Sequence, residues 1–423
     1  MAASPFHRLT GANWLERPET QAIFAALAEH GFDSRVVGGA VRNALFGLPV
    51  TDVDFATPAR PQDVIAAATK AGLKAIPTSL AHGTVTVVSG GLPYEITTLR
   101  RDVETHGRHA TVAFTDDWHA DAHRRDFTIN ALYCSAEGEI FDPLGGYGDI
   151  VARRVRFVGD PAERIREDYL RILRFFRLTA MFGKGAPDVR ALAACVRARD
   201  GLSILSAERV RVELLRLLAA PHAADIVLVM HDYGLITQVL GTAPRPTLLA
   251  RLVAIEAALG VEADAVRRLA ALAVEVPDDG ERLRDRLRLS NAEGAALVRA
   301  GVHTPDIGPT ASIRAAKAYL YAQGEAAYRQ HVLLGWARSG DAPGSEDWRH
   351  RVALPDVWQV PRFPIGGADV TALGVSAGPR VGDLLRTLED WWIAGDFSAD
   401  EGGLRAKLRE LTADGKGAPR SRT

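Results

Sequence analysis

Cysteine is scarce in this sequence, with two residues, Cys134 and Cys195, in a chain of 423. So few thiols exclude a disulfide framework and any cysteine-rich zinc module. Long apolar runs are also lacking, since none approaches the length of a membrane span and the residues up to Gln21 contain no apolar signal-peptide core. We therefore predict a cytoplasmic protein that does not associate with membranes.

Net charge is also nearly absent, because 51 Lys and Arg residues face 52 Asp and Glu residues. This balance excludes a uniformly basic nucleic-acid-binding surface but is compatible with a local basic groove. The basic residues are almost all arginine and alanine is abundant, a combination typical of GC-rich genomes, so the arginine count alone does not indicate phosphate binding. The apolar fraction of 47% is ordinary for a globular protein, and the length predicts roughly two to four domains.

The pattern of apolar residues divides the chain into an α/β part and a helical part. Up to about residue 150, β-branched runs alternate with helical patterns, and strands are predicted at 35–37, 52–55, 84–88 and 94–98. From 160 to about 339 the periodicity is helical, with helices predicted at 207–218, 246–259 and 264–274 and a capping box at Ser290 and Glu293. A proline- and glycine-rich stretch, 341–367, predicts a linker before a last helical segment.

The first chemical signal is a Gly-Gly turn between a strand and a short helix. Gly38 and Gly39 would let a polyphosphate approach the backbone, and the helix that follows offers free N–H groups to an anion. Arg42 lies one turn into that helix, where its guanidinium can reach the same anion. This segment therefore predicts a triphosphate-binding turn.

Asp52 and Asp54 lie two residues apart on the next predicted strand, so both carboxylates should point to one side while Val53 faces the core. Two adjacent carboxylates repel each other unless a cation lies between them, and oxygen ligands with substrate phosphates suit Mg²⁺. Glu95 lies within another predicted strand, where it could be a third carboxylate that ligates a metal or accepts a proton, or an exposed strand residue.

Two arginine-containing segments allow either a structural or a functional interpretation. In the first, Arg125 could contact a nucleotide ribose or phosphate while Asp126 fixes local geometry, or the charges could simply flank a core segment. In the second, Asp168, Arg171, Arg174 and Arg177 are spaced three apart, as on one face of a helix. That face could be a solvated surface held by an Asp168–Arg171 pair.

The functional interpretation of the second segment is a protein template for a base. A carboxylate accepts from an exocyclic amino group while a guanidinium donates to the adjacent ring nitrogen, which matches cytosine and adenine. Guanine and uracil show the reverse polarity and would leave buried groups unpaired. Such a pair would admit CTP and ATP and reject GTP and UTP.

These segments, in this order, resemble the class II CCA-adding tRNA nucleotidyltransferase and bacterial poly(A) polymerase family. The resemblance rests on V-G-G-A-V-R at 37–42 with D-x-D at 52–54, R-R-D-F-T-I-N-A at 124–131, and E-D-x-x-R-x-x-R-x-x-R at 167–177. Residues 206–210 resemble the family's fifth motif, and 363–370 with 378–382 resemble its tail segment. The resemblance covers most of the chain from about 14 to 397, although 248–341 match only in helical character. Asn43 replaces the aspartate frequent in the first motif.

The resemblance implies an α/β nucleotidyltransferase head with a mixed sheet, followed by an all-α neck, body and tail. We place the head at 1–150, the neck at 151–220, the body at 221–345, the tail at 346–410 and a disordered C-terminus at 411–423. The roles that it implies are triphosphate binding by Gly39 and Arg42, two metals at Asp52 and Asp54, a ribose contact at Arg125, a base template at Asp168 and Arg171, and further base or phosphate contacts at Arg174 and Arg177.

The predicted reaction is extension of a tRNA by CTP and ATP without a nucleic-acid template. The tRNA 3′-hydroxyl attacks the α-phosphate; one Mg²⁺ at Asp52 and Asp54 activates the hydroxyl, and the second neutralises the triphosphate and the leaving pyrophosphate. The neck would lie near the acceptor end of the tRNA and the tail would hold its elbow. No feature indicates a protein partner.

Several rival functions remain open at this point. Poly(A) polymerases of the same fold share a short basic segment before the third carboxylate, whereas 81–88 has no basic run. An A-adding or CC-adding specialist is another alternative; the 102–123 segment with Gly107-Arg108-His109 resembles the loop linked to addition of the final A and argues against a CC-only enzyme. A non-catalytic RNA-binding protein is disfavoured by the intact aspartate pair. His231-Asp232 suggests a phosphohydrolase but lacks accompanying ligands and fits a helix end.

Overall fold

The structure is a computed structural model that describes residues 8–106, 109–302 and 307–414. The chain forms two compact units, one from the N-terminal part up to Pro244 with Arg286–Arg288, the other from Arg245–Asp285 and the residues from Leu289 onward. Each unit has apolar clusters of its own, one around Val37, Leu99 and Tyr133 in the first unit and one around Leu388 and Trp392 in the second. The finer division into head, neck, body and tail stays a prediction.

All strands of the described residues lie before residue 142, as the sequence predicts. They are β1 (Arg35–Val37), β2 (Asp54–Thr57), β3 (Lys74–Ser79), β4 (Thr84–Ser89), β5 (Leu92–Thr98), β6 (Arg100–His106), β7 (His109–Phe114), β8 (Tyr133–Cys134) and β9 (Ile140–Phe141). Seven form one sheet in the order β3-β4-β5-β2-β1-β8-β9, and β6 pairs with β7 separately. In the large sheet β2 and β5 run parallel and the other neighbours antiparallel, which confirms the predicted mixed sheet.

Helices pack against the sheet and make up the rest of the first unit. They are α1 (Asn13–Glu16), α2 (Pro18–Ala28), α3 (Gly39–Leu45), α4 (Pro61–Lys70), α5 (Trp118–His123), α6 (Gly146–Val151), α7 (Pro161–Glu167), α8 (Leu170–Phe182), α9 (Val189–Arg197), α10 (Ala207–Ala219), α11 (Ala223–Asp232) and α12 (Leu235–Leu240). Along β4, buried side chains alternate with partly exposed ones, and Val85 and Val87 are fully buried. Phe55 of β2 packs edge-on against Phe24 of α2.

From Arg245 on, the described residues are helical apart from loops. The helices are α13 (Pro246–Leu259), α14 (Ala265–Ala273), α15 (Pro277–Leu287), α16 (Asn291–Gly301), α17 (Ile313–Ser339), α18 (Glu346–Val352), α19 (Leu354–Val357), α20 (Gly367–Thr371), α21 (Pro379–Ala394) and α22 (Glu401–Asp414). The predicted capping box is confirmed, because Glu293 N–H donates to Ser290 Oγ at 3.3 Å and Ser290 N–H to the Glu293 carboxylate at 2.7 Å. Gly324, with φ 78° and ψ 168°, interrupts α17.

Two predictions about the last third are wrong. The linker predicted at 341–367 contains α18 and α19, because Trp348 of α18 is buried, stacks on Trp336 at 6.0 Å and donates to Asp341 Oδ2 at 2.6 Å. This packing outweighs the proline and glycine content of the stretch. The predicted disordered terminus also begins too early, since α22 continues to Asp414, where Thr412 is buried.

Candidate active site

Residues predicted from separate motifs line one cleft of the first unit, with a volume of about 630 Å³. It contains Gly38, Gly39, Arg42, Asp54, Glu95, Arg125, Asp168, Arg171, Arg174 and Arg177. Asp52 is the one predicted site residue outside this lining, but its charge acts directly on Asp54. The topology thus brings the glycine turn, the carboxylates and the arginines of distant segments into one place.

The carboxylates lie at the start of β2 and beside it. Asp54 is the first residue of β2 and pairs in register with Glu95 of the parallel strand β5. Val53 is 3% exposed while Asp52 and Asp54 are exposed, so the predicted alternation is confirmed. The prediction that Asp52 also lies on the strand is wrong, because β1 ends opposite Asp54 and leaves Asp52 no strand to pair with.

The electrostatics of this cluster favour a cation. Partial desolvation by the cleft walls, then the charge of Glu95 and, more weakly, that of Asp52 raise the pKa of Asp54 from 3.8 to about 6, against the opposing charge of Arg125. Carboxylate oxygens are hard ligands of the kind that Mg²⁺ prefers, so the donor chemistry fits a divalent ion. Among the described residues no group of three or more His, Cys, Asp or Glu side chains is arranged to hold a metal ion.

The glycine turn sets the direction of α3. Gly38 has φ 76° and ψ −123°, a backbone conformation that L side chains rarely adopt. A Cβ at this position would lie 3.8 Å from an Arg125 Nη atom and from the Asn130 carbonyl oxygen. Glycine therefore lets the chain reverse from β1 into α3 at the floor of the cleft.

Arg42 is held by neutral amides. Its guanidinium donates to Asn130 Oδ1 at 2.6 Å and to Asn43 Oδ1 at 2.9 and 3.2 Å, and it lies 4.6 Å from the ring centre of Phe182. Burial, followed by the charges of Arg177 and Arg174, lowers the pKa of Arg42 to about 10. Because no carboxylate in the described part of the chain bonds to it directly, Arg42 is oriented with its positive charge available to an anion in the cleft.

Asn43 also donates from Nδ2 to the Pro49 carbonyl oxygen at 3.2 Å. We expect Asn43→Asp to change kcat/KM for CTP by less than about threefold, because a carboxylate still accepts from Arg42 and loses only that one exposed bond. Asn43→Ala removes the acceptor and should lower kcat/KM about tenfold. Steady-state kinetics of both variants tests this. A large loss for the aspartate variant would contradict our interpretation of this position.

Asp126 connects the segment after α5 to α8. It accepts from Asn130 Nδ2 at 2.9 Å and from Arg174 Nε at 2.7 Å. Burial alone would raise its pKa, but the charge of Arg174 and the bonds from Asn130 and Arg174 lower the pKa of Asp126 to about 2. Since Asn130 also accepts from Arg42, a continuous chain of bonds runs from α3 through Asn130 and Asp126 to Arg174. The sequence predicts a local role for Asp126 and does not identify Asn130.

Two protein groups, Asp121 and Tyr133, hold the guanidinium of Arg125 in place. It donates to Asp121 Oδ2 at 2.9 Å and to the Tyr133 hydroxyl at 3.2 Å, and Tyr133 itself donates to Asp121 at 2.8 Å. Burial opposes the charged form, but the charge of Asp121 and bonds to both partners raise the pKa of Arg125 above its usual value. Asp121 is 1% exposed on its side chain, so Arg125 is a rigid cation in the cleft wall.

The predicted helical pair between Asp168 and Arg171 does not form. Asp168 lies in the link after α7, accepts from Leu170 N–H at 3.1 Å and pairs with Arg209 of α10 at 2.6 Å. Arg171, in the first turn of α8, pairs with Glu167 and donates to the Arg164 carbonyl at 2.7 Å. Asp168 therefore precedes the helix on which we predicted it, while both side chains still line the cleft.

A second helix face that the sequence does not single out borders the arginines of α8. Glu213 of α10 is 4% exposed, accepts from Arg177 Nε at 2.5 Å and lies 3.7 Å from Arg174. Arg209 and Arg216 lie on either side of Glu213 on the same helix and also line the cleft. The i, i+4, i+7 spacing of these three residues is the signal that would have identified this face.

Other predicted features are placed as follows. His231 and Asp232 are exposed at the end of α11, which agrees with a helix end rather than a phosphohydrolase site. Gly107 and Arg108 of the predicted flexible loop lie outside the described residues. In the described part of the chain, no helix has both the length and the apolar character that a membrane crossing requires.

Comparison with known proteins agrees with this geometry. The family model "Poly A polymerase head domain" matches residues 34–156, and "Probable RNA and SrmB- binding site of polymerase A" matches 187–246. The mouse protein "CCA tRNA nucleotidyltransferase 1, mitochondrial" is 33% identical over 94% of this chain and 93% of its own. The CCA-adding enzyme of Geobacillus thermodenitrificans is 39% identical over 55% of this chain and 57% of its own.

A solved structure, the Bacillus stearothermophilus CCA-adding enzyme in complex with CTP, superimposes with a TM-score of 0.70 at 28% identity, covering 95% of this chain and 99% of that one. The mouse relative is aligned over nearly the whole of both chains, so the similarity extends beyond the head. The chain therefore belongs to the class II CCA-adding tRNA nucleotidyltransferase and poly(A) polymerase family.

Proposed function

We propose that this protein is a CCA tRNA nucleotidyltransferase, which adds C, C and A to the 3′ end of tRNA from CTP and ATP. The observation that carries the proposal is the single cleft in which Asp54 and Glu95 face Arg42, Arg125 and the arginines of α8. The mouse relative is named for this reaction and aligns along nearly the full length. A non-catalytic RNA-binding protein would not need a partly desolvated Asp54 beside Glu95 and Asp52, an arrangement in which desolvation and then these two charges raise the pKa of Asp54.

In the proposed reaction the tRNA 3′-hydroxyl oxygen forms a bond to the α-phosphorus of the nucleotide, and the bond to the bridging oxygen of the β-phosphate breaks to release pyrophosphate. Asp52 and Asp54 would hold divalent ions, which we propose to be Mg²⁺ and which would supply charge neutralisation to the triphosphate. Glu95, paired with Asp54, adds a third carboxylate for the hydroxyl proton or for a metal. Arg42 and Arg125 orient the phosphates and the ribose.

Base selection falls to Asp168 and Arg171, whose side chains line the same cleft. A carboxylate acceptor next to a guanidinium donor matches the amino group and ring nitrogen of cytosine and adenine. Arg174 and Arg177 lie further along α8 and would add contacts to the base or the phosphates.

Asp168→Ala is expected to relax nucleotide selection more than it slows chemistry. Loss of the acceptor should reduce discrimination against UTP and GTP by on the order of 1–3 kcal/mol while weakening CTP and ATP use. Steady-state kcat/KM for the four nucleotides on one truncated tRNA measures this. Asp200→Ala, an exposed aspartate in the same unit, is the matched control and should keep the wild-type ratios. Unchanged selectivity in the Asp168 variant would show that another group selects the base.

The length and sequence of the product test the function itself. A tRNA lacking its 3′ end, incubated with CTP and ATP in excess, should give a single band three nucleotides longer on a denaturing gel, with the added sequence CCA. We propose that the growing end crowds a closed space between head and neck and thereby stops addition. Long adenosine tails on many RNAs would instead identify a poly(A) polymerase, and extension only of a tRNA that already ends in CC would identify an A-adding specialist.

The remaining assignments are proposals of the same kind. The helices within 221–345 would form the body and those within 346–410 the tail, and the tail would hold the tRNA elbow. The cytoplasmic location is a prediction from the sequence alone, and the mouse relative carries the word mitochondrial in its name.

A further inference from the structure

Arg216 differs from the other arginines of the cleft. Nine arginines line the cleft against four carboxylates, which leaves an excess of positive charge. Eight of the nine donate to a protein acceptor: Arg42, Arg100, Arg124, Arg125, Arg171, Arg174, Arg177 and Arg209. Within residues 8–106, 109–302 and 307–414, Arg216 makes neither a hydrogen bond nor an ion pair, although it lines the cleft.

The pairs between α8 and α10 locate Arg216 along the cleft. Arg209 of α10 pairs with Asp168, just before α8, and Glu213, one turn later, pairs with Arg177 in the second half of α8. The two helices therefore advance in the same direction along the cleft. Arg216, almost one turn beyond Glu213, lies at the Arg177 end and away from Asp168.

The Arg177 end is also the Arg42 end. The charge of Arg177 is the strongest like charge acting on Arg42, and Arg216 acts in turn on Arg177. Burial lowers the pKa of Arg177, and the charges of Arg174 and Arg216 act in the same direction against Glu213. Asp126 opposes the repulsion at Arg42, and Glu213 opposes it at Arg177 while also pairing with Arg174, so the described carboxylates offset the mutual repulsion of Arg42, Arg177 and Arg216 only in part. An anion with several charges would relieve it.

We propose that Arg216 binds the terminal phosphates of the incoming nucleoside triphosphate and the pyrophosphate that leaves. The proposal rests on the proposed function, which places the base at Asp168 and Arg171 and so leaves the opposite end of the cleft to the polyphosphate. A guanidinium with no protein acceptor offers a pair of N–H donors to phosphate oxygens. Arg216 is thus a phosphate-binding residue contributed by α10.

Titration calorimetry with the full chain tests the assignment, using magnesium pyrophosphate, CTP and CMP as separate ligands. Arg216→Ala should weaken binding of pyrophosphate and CTP about tenfold and leave CMP binding unchanged, because CMP lacks the phosphates concerned. Arg216→Lys should retain part of the affinity, since it keeps the charge but not the paired donors. Arg197→Ala, an exposed arginine of α9 outside the cleft, is the matched control and should bind all three ligands as the wild type does.

Equal pyrophosphate affinity in the wild type and in folded Arg216→Ala, with melting temperatures compared, would overturn the proposal. Weaker binding of tRNA with unchanged pyrophosphate binding would also overturn it and would assign Arg216 to the RNA backbone. A wild-type protein that binds pyrophosphate through Arg216 but does not extend truncated tRNA would support the anion site and refute the proposed function, so the two failures are distinct.

Discussion

Asp54→Asn is expected to lower the rate of nucleotide addition by about a thousandfold or more, since loss of a metal-holding carboxylate removes several kcal/mol of transition-state stabilisation. The same variant should fold normally, because Asp54 faces the cleft and its neighbours Val53 and Phe55 carry the core packing. Single-turnover incorporation of labelled CTP into a truncated tRNA, with Mg²⁺ present, measures the rate. Near-normal rates would refute the metal assignment.

The raised pKa of Asp54 gives this variant a second expected property. A carboxyl whose pKa rises from 3.8 to about 6 on folding holds its proton more tightly in the folded protein, so its ionised form opposes folding. This opposition is complete above about pH 6 and is absent below about pH 4. Metal-free Asp54→Asn should therefore melt at a higher temperature than the wild type at about pH 8, and the difference should vanish at about pH 4.

Added Mg²⁺ should raise the melting temperature of the wild type and leave that of Asp54→Asn nearly unchanged. Asp63→Asn offers a control at a partly exposed aspartate of the same unit that does not line the cleft, and this variant should respond to Mg²⁺ as the wild type does. Equal stabilisation of the wild type and the Asp54 variant by Mg²⁺ would place the metal elsewhere.

Asp126→Ala is expected to destabilise the protein by about 2–4 kcal/mol, because it leaves Arg174 and the Asn130 amide without their acceptor in a largely buried place. The side chain of Asp126 is 12% exposed, so water can replace few of the hydrogen bonds that the variant loses. Denaturant unfolding of the first unit measures the loss. Asp33→Ala, which breaks an ion pair between Arg35 and a 52% exposed aspartate, should cost less than about 1 kcal/mol.

The pH dependence of Asp126 has the opposite sign to that of Asp54. Its pKa falls from 3.8 to about 2 on folding, so its contribution to stability is complete above about pH 4 and is lost as the pH falls towards 2. The wild type and Asp126→Ala should therefore converge in stability on acidification. A constant difference down to about pH 2 would show that the variant fails for packing reasons instead.

Local features of the site could be predicted because they depend on neighbours in sequence. The strand before Gly38 follows from its β-branched residues, and the turn into a helix follows from the conformational freedom of glycine. The strand and the helix are present as β1 and α3. The period of a strand predicts the alternation of exposure at Asp52, Val53 and Asp54 correctly, although the paired strand begins only at Asp54. The Asp168 error has a local cause as well, since a spacing of three residues indicates one helix face but does not show where that helix begins.

The partners of the site residues could not be predicted, because they come from remote segments. Arg42 and Asn130 are 88 residues apart, Asp126 and Arg174 48, and Asp168 and Arg209 41. No periodicity connects such positions, and they come together through the packing of α8 against the segment around Asp126 and against α10. Glu213 and Arg216 border the site because they share one face of α10 with Arg209, and Arg209 and Arg216 on this face line the cleft.

The pairs of Asp168 with Arg209 and of Arg171 with Glu167 have a consequence for fidelity. In the proposed function, a base that bonds to Asp168 and Arg171 would have to share or replace Arg209 and Glu167 as their partners. Each nucleotide would therefore compete with ion pairs within the protein. A cytosine or adenine edge would supply a donor to Asp168 and an acceptor to Arg171 in place of the displaced partners. A uracil or guanine edge would place an acceptor against the Asp168 carboxylate, so the ion pairs within the protein would be favoured. Selection would then work as an exchange reaction with a built-in competitor, and the strength of that competitor would set how poor a match the enzyme tolerates.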